Sequence, residues 1–182
     1  MNTTLLRVLL VEDSEDDALL TLHELRKGGF QTEWERVDTR AAMELALASR
    51  SWELVICDHV MPGFSSAGAL DVMRKGSLDL PFIIVSGVAP EDLVTAAMRQ
   101  GAHDFISKGN LVRLVPAVKR ELKEAALRRD RLQNEVTKST SSITAQFNLE
   151  YFDLPSQPDI FLGVTLASPP VSRAGIRTAM AP

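Results

Sequence analysis

Four short apolar runs recur along the chain: Leu6–Val11 (LRVLLV), Leu54–Cys57 (LVIC), Phe82–Val85 (FIIV) and the shorter Phe105–Ile106. Residues that are apolar at consecutive positions leave neither face of a strand for water, which suits a parallel sheet covered by helices on both sides. A fifth candidate, Thr32–Val37 (TEWERV), alternates more and belongs nearer a sheet edge. Between these runs the spacing changes from two to three-and-four. Glu15–Lys27, Ala41–Ser49, Ala67–Arg74 and Glu91–Gln100 read as helices, the first stopping at Gly28-Gly29 and the last at Gly101. Pro90 ahead of Glu91-Asp92 suits a helix start, with the acids at its positive end. Five β-α repeats imply an open, doubly wound five-stranded parallel α/β sheet.

The fifth helix begins near Leu114 and outlasts what a sheet can cover. Val115, Val118, Leu122, Ala125, Leu132 and Val136 keep a three-four spacing, with Arg129 interrupting it. The stretch beyond the sheet reads as a solvated helical extension or a short dimer seam. The expected division is therefore a domain at 1–127, a helical extension at 128–137 and a tail at 138–182. Five of the nine prolines and the run TKSTSSIT fall in that tail, which is expected to be low in complexity and disordered.

Charge narrows the function. Residues 1–137 hold 17 Lys+Arg and 21 Asp+Glu, whereas residues 138–182 hold three of each, so the whole net charge of −4 lies in the first part. An acidic balance argues against a nucleic-acid binder. One cysteine, Cys57, excludes a disulfide framework and a Cys-rich zinc site. The opening MNTTLLRVLLVED is too short in its apolar run for a signal peptide or a membrane span. A cytoplasmic protein is expected.

In an open parallel sheet, ligands bind beyond the carboxyl ends of the strands. Glu12 and Asp13 follow the first strand here, Asp58 the third, Ser86-Gly87 the fourth and Lys108 the fifth. Carboxylates gathered at one edge repel, so they bind a cation or hold a proton. Carboxylate and carbonyl oxygens suit Mg²⁺. A carboxylate can also attack a phosphoryl group, and Lys108 and Ser86 would supply a cation and a hydroxyl donor for the transferred charge.

The segments VED, CDHVMPG, VSG and FISK, in this order on these strands, resemble the receiver domain of two-component response regulators, the CheY-like family, from about Leu6 to about Leu127. The resemblance implies a flavodoxin-like fold with strand order 2-1-3-4-5, whose ligand edge lies at the switch point between the first and third strands. The resemblance implies that Asp58 accepts phosphate from a histidine kinase or histidine phosphotransfer protein. It further implies that Glu12, Asp13, Asp58 and the Val60 carbonyl hold Mg²⁺, that Ser86 and Lys108 bind the phosphoryl group, and that Phe105 is the switch aromatic. Output through protein contacts is implied, including a homodimer through the last helix or through the face of helix 4, strand 5 and helix 5. Such a domain catalyses only its own phosphotransfer and dephosphorylation.

Gly109 stands where the family usually has a proline after a cis bond. Val60 and Val88 are apolar where relatives often carry polar side chains that influence water attack, so a slowly hydrolysed acyl phosphate is expected. Ser14 with Asp17 reads as a helix cap, with Glu15, Asp16 and Asp17 serving the helix end. His59 reads as loop surface or a modest tuner, and Cys57 as a small core residue. Two alternatives differ in class. One is the front module of a larger sensor kinase or other signalling enzyme, whose connector would have to be helical past Val136. The other is a haloacid-dehalogenase-like phosphatase, which usually has a second Asp where Val60 stands.

Overall fold

The computed structural model describes residues 4–88 and 90–152, with side chains to residue 140. Five parallel strands form one sheet: β1 (Thr4–Val11), β2 (Phe30–Val37), β3 (Leu54–Asp58), β6 (Phe82–Ser86) and β7 (Asp104–Ser107). A two-stranded antiparallel ribbon, β4 (Val60–Met61) with β5 (Phe64–Ser65), turns at Gly63, whose φ of 75° favours glycine. The sheet order is β2-β1-β3-β6-β7. With the ribbon set aside this is the expected 2-1-3-4-5, and the fold is flavodoxin-like.

The two enclosed faces of β1 explain its apolar run, which only Arg7 interrupts after Leu6. Leu6, Val8 and Leu10 pack with Ala18, Leu22 and Leu25 of α1 (Glu15–Lys27) and with Leu114 and Val118 of α5 (Leu114–Phe152). Leu9 and Val11 face the other way, into a cluster with Met43 of α2 (Arg40–Ser49), Leu70 and Met73 of α3 (Ser66–Lys75) and Ala97 of α4 (Glu91–Arg99). Central strands so enclosed hold the register that sets the site. Val11 lies beside Cys57, Asp58 beside Val85, and Ser86 beside Ser107. Consequently Glu12 and Asp58 finish level, with Ser86 one residue and Lys108 two residues further along the same edge.

The expected start of the tail at residue 138 needs correction, because α5 is helical to Phe152. No Pro or Gly lies between Pro116 and Pro155, so nothing in the sequence breaks the helix earlier. Thr137 returns its hydroxyl to the Gln133 carbonyl at 2.8 Å, a back-bond that satisfies a Ser/Thr side chain without leaving the helix. The rest of the predicted tail, 153–182, lies outside the described residues. Residues Met1–Ser139 form one compact unit and Thr140–Pro182 a second. Arg128, which the sequence assigns to the extension, is bound through Nη2 and Nε to Asp79 at 2.9 and 3.1 Å, tying α5 to the loop before β6. No described helix is long and apolar enough to cross a membrane.

Candidate functional site

Three carboxylates and one ammonium meet at the carboxyl edge of the sheet. Lys108 Nζ donates to Asp17 Oδ2 at 2.6 Å, Asp58 Oδ2 at 2.8 Å and Glu12 Oε2 at 3.0 Å. All three donors of the ammonium are thereby used. Each acid offers an oxygen within 4.8 Å of the others. Lys108 begins a 3-10 turn (Lys108–Arg113), entered through Ser107, whose Oγ accepts from the Gly109 N–H at 3.2 Å. The Lys108–Gly109 bond is trans.

Burial sets the electrostatics. Burial pushes the Glu12 carboxyl above the ordinary carboxylate range, against the hydrogen bonds from Lys108 and the Ser14 N–H and the attraction of Lys108. Burial would lower the Lys108 pKa, but its bonds to Asp17, Asp58 and Glu12 outweigh that and hold it above the usual lysine value. Cys57 is buried, and burial first, then the charges of Asp58 and Glu12, push its thiol well up. It is a core thiol and not a nucleophile.

The two oxygens of Asp58 have different surroundings. Oδ2 is on Lys108, while Oδ1 accepts from the backbone N–H of His59 and, at 3.4 Å, of Val60. Ser86 is almost wholly buried, and its Oγ accepts from the Val88 N–H at 3.3 Å. Phe105 is buried, whereas Val60 and Val88 are 63% and 57% exposed.

Of the residues the sequence assigned here, Glu12, Asp58 and Lys108 touch. Asp13 does not join the three clustered carboxylates; its side chain is exposed, and its carbonyl, like that of Glu12, accepts from Arg36 Nη1. Asp17 takes its place in the cluster. Its backbone N–H does go to the Ser14 Oγ cap, at 3.3 Å, but its carboxylate reaches Lys108 instead of returning to the cap. The available signal was position, since a first-turn side chain leans toward the helix N-terminus and so toward the strand edge. His59, read from sequence as loop surface or a modest tuner, lies in the bend between β3 and β4. Its ring is half-buried, hydrogen-bonded through Nδ1 to Ser66 Oγ at 2.7 Å and tilted 52° against Phe105 at 6.1 Å. No sequence signal pointed to that contact, which depends on the β4-β5 ribbon.

Fold and site together define a class: a flavodoxin-like α/β domain whose ligand edge carries an acidic cluster closed by the lysine that follows the last strand. The chain belongs to the response regulator receiver domain family, which matches residues 8–119. It is 30% identical over 126 residues to the nitrogen assimilation regulatory protein NtrX of Azorhizobium caulinodans, covering 68% of this chain and 27% of that one. Chemotaxis protein CheY of Thermotoga maritima is 26% identical over 102 residues, 56% of this chain and 84% of its own. Among solved structures, a signal receiver domain from Vibrio parahaemolyticus superposes with a TM-score of 0.61 at 29% identity, covering 68% of this chain and 95% of that one. NtrX from Brucella abortus superposes with a TM-score of 0.63 at 26% identity, covering 71% and 29%. The chain thus spans between a quarter and a third of the length of the NtrX relatives it matches.

Proposed function

We propose that this chain is a phosphorylation-dependent signalling switch in a two-component phosphorelay, taking a phosphoryl group on Asp58 from a histidine kinase or histidine phosphotransfer protein. The observation that carries this reading is the Asp58 carboxylate, mostly buried at the ligand edge, with one oxygen on backbone N–H groups and the other on Lys108. A carboxylate oxygen attacks phosphorus as the phosphorus–nitrogen bond breaks, and the electron pair of that bond returns to the donor imidazole. Water later cleaves the acyl phosphate, releasing phosphate and restoring the carboxylate.

Lys108 neutralises the transferred charge and Ser86 donates its hydroxyl to a phosphoryl oxygen. The carboxylate oxygens form the hard donor set that Mg²⁺ takes, so Glu12, Asp13, Asp58 and the Val60 carbonyl would hold it, with Asp17 as a further candidate. Bound Mg²⁺ would offset part of the phosphoryl charge, in addition to Lys108. Phe105 is the switch aromatic in this reading, and the domain acts on no separate substrate. A cytoplasmic location fits its single reduced cysteine.

Output is through protein contacts, either on the face of α4, β7 and α5 or through a homodimer along α5. Val118 and Leu122 pack on the sheet side, Ala125 is buried, and Leu132 continues the stripe with 59% exposure. A second reading, the receiver module of a larger signalling protein, is favoured by the same helix, which continues past Val136 as a connector would. The test incubates the chain with Mg²⁺ and acetyl phosphate, then measures mass and hydrodynamic size beside Asp58→Asn. Labelling of the parent alone is expected. Equal labelling of both would overturn the site, and labelling without a change in size would remove the homodimer and leave partner docking.

A further inference from the structure

The half-buried histidine beside the phosphoacceptor is attached at four points. Its N–H donates to Asp58 Oδ1, and its carbonyl accepts from the Ser66 N–H at 3.3 Å. Its Nδ1 and Ser66 Oγ share a 2.7 Å hydrogen bond, and its ring rests against Phe105. Ser66 is 2% exposed and opens α3, so it is a fixed post; Phe105 is 6% exposed. The ribbon explains why the histidine cannot swing away. Val60 pairs with Ser65 and Met61 with Phe64, folding the chain back so that Ser66 stands over His59.

We propose that His59 is a positioning residue that carries the state of Asp58 to Phe105, with Ser66 holding the imidazole in the pose that keeps Phe105 inward. The proposal rests on the phosphoacceptor reading of Asp58. Forming an acyl phosphate changes the acceptor presented to the His59 N–H, because the two carboxylate oxygens become a carbonyl and a bridging oxygen. A peptide held by Ser66 on its far side cannot absorb that change by drifting, so the ring edge facing Phe105 must respond. An aromatic pair of this kind biases the inward and outward populations of Phe105 by roughly two- to tenfold. Without the Ser66 hydroxyl the imidazole loses its only hydrogen-bonded anchor among the described residues, while every group on Asp58 stays in place.

The decisive variant is therefore Ser66→Ala in the full chain, with His59→Phe as its complement, since the latter keeps a ring against Phe105 but cannot bond Ser66. Fluorophenylalanine incorporation gives a fluorine resonance for Phe105, assigned by its loss in Phe105→Leu. Spectra are taken before and after Mg²⁺ and acetyl phosphate, with mass giving the labelled fraction and circular dichroism confirming folding. Ser66→Ala is expected to label as the parent does. Its Phe105 resonance should lie displaced before any donor is added and shift at least twofold less on labelling, and His59→Phe, which lacks the same bond but keeps a ring, should be displaced in the same direction by less. A Ser66→Ala resonance that coincides with the parent's at rest and after labelling overturns the proposal. If the parent is not labelled at all, the phosphoacceptor reading fails separately, and the resting resonance still decides whether His59 positions Phe105. A change in melting temperature alone, with Phe105 unmoved, shows a merely structural serine and also overturns it.

Discussion

Replacing Lys108 by Met keeps most of the aliphatic stem and removes the charge that holds three acids together. Glu12, Asp17 and Asp58 are then left with oxygens within 4.8 Å of one another. At that separation and an effective dielectric of about 20, each pair of carboxylates repels by about 3.5 kcal/mol. The full sum is never realised, because side chains rotate outward and protons bind. The side chains are 8%, 35% and 12% exposed for Glu12, Asp17 and Asp58, so Asp17 can turn to water while the other two cannot. Breaking a buried pair from one side costs about 3–5 kcal/mol. With one acid able to escape, Lys108→Met should cost about 2–4 kcal/mol at pH 7. Two conditions should reduce that loss. Glu12 already titrates above the ordinary carboxylate range through burial, and removing Lys108 removes its main opposition, so its folded-state pKa rises further. A raised carboxyl pKa means that the folded state binds more protons than the unfolded one between the two values, so the variant regains stability as pH falls through that window. A divalent cation bound by the same acids should act likewise. Urea unfolding followed by circular dichroism at pH 7, at pH 5 and at pH 7 with millimolar Mg²⁺ tests this. A loss that is the same under all three conditions would refute the idea that repulsion among these acids is what Lys108 holds in check.

Further outcomes can be checked alongside. Burial, foremost, holds the His103 imidazole below its ordinary pKa, and its Nδ1 accepts from the Phe82 N–H at 3.1 Å. A depressed histidine supports the fold above its unfolded pKa and loses that contribution as pH falls through the lower folded value, so His103→Gln should flatten the stability profile below pH 6.5, measured by urea titration at stepped pH. Leu22 is fully buried between α1 and the sheet, and Leu22→Ala should cost about 2–5 kcal/mol in the same assay; a change under 1 kcal/mol, on the order of a surface substitution, would contradict its core placement. If the apolar rim restrains water attack, the acyl phosphate should decay slowly, and Val60→Glu should speed the decay roughly tenfold or more by positioning water. The readout is the labelled fraction by mass over time after donor removal, with unchanged decay counting against a role for Val60. Asp17→Asn should leave the helix cap, which uses its backbone N–H, while loosening Lys108, seen as lysine side-chain amine resonances that broaden relative to the parent.

Much of this molecule was decided locally, and the local part was legible. The apolar runs of Leu6–Val11, broken only at Arg7, Leu54–Cys57 and Phe82–Val85 admit little but enclosed parallel strands, since every alternative exposes one apolar face. Once β-α order is set, topology rules alone bring the ends of β1, β3, β6 and β7 to one edge, which is why Glu12, Asp58, Ser86 and Lys108 could be named together. The helix past residue 138 was misread for a related reason: Ser and Thr weigh against a helix only weakly, and the absence of Pro and Gly before Pro155 outweighed them.

What sequence could not decide is which side chains meet once the elements are packed. The choice of Asp17 over Asp13 as the third carboxylate on Lys108 depends on the angle at which α1 leaves β1 and on the side chain's lean over the helix N-terminus. The contact of His59 with Ser66 and Phe105 depends on a four-residue ribbon that returns the chain upon itself. Periodicity assigns a residue to a face, and a motif assigns it to a loop. Neither reaches the few tenths of an ångström and few tens of degrees that turn neighbours into partners, because those are set by the packing of elements far apart in the chain.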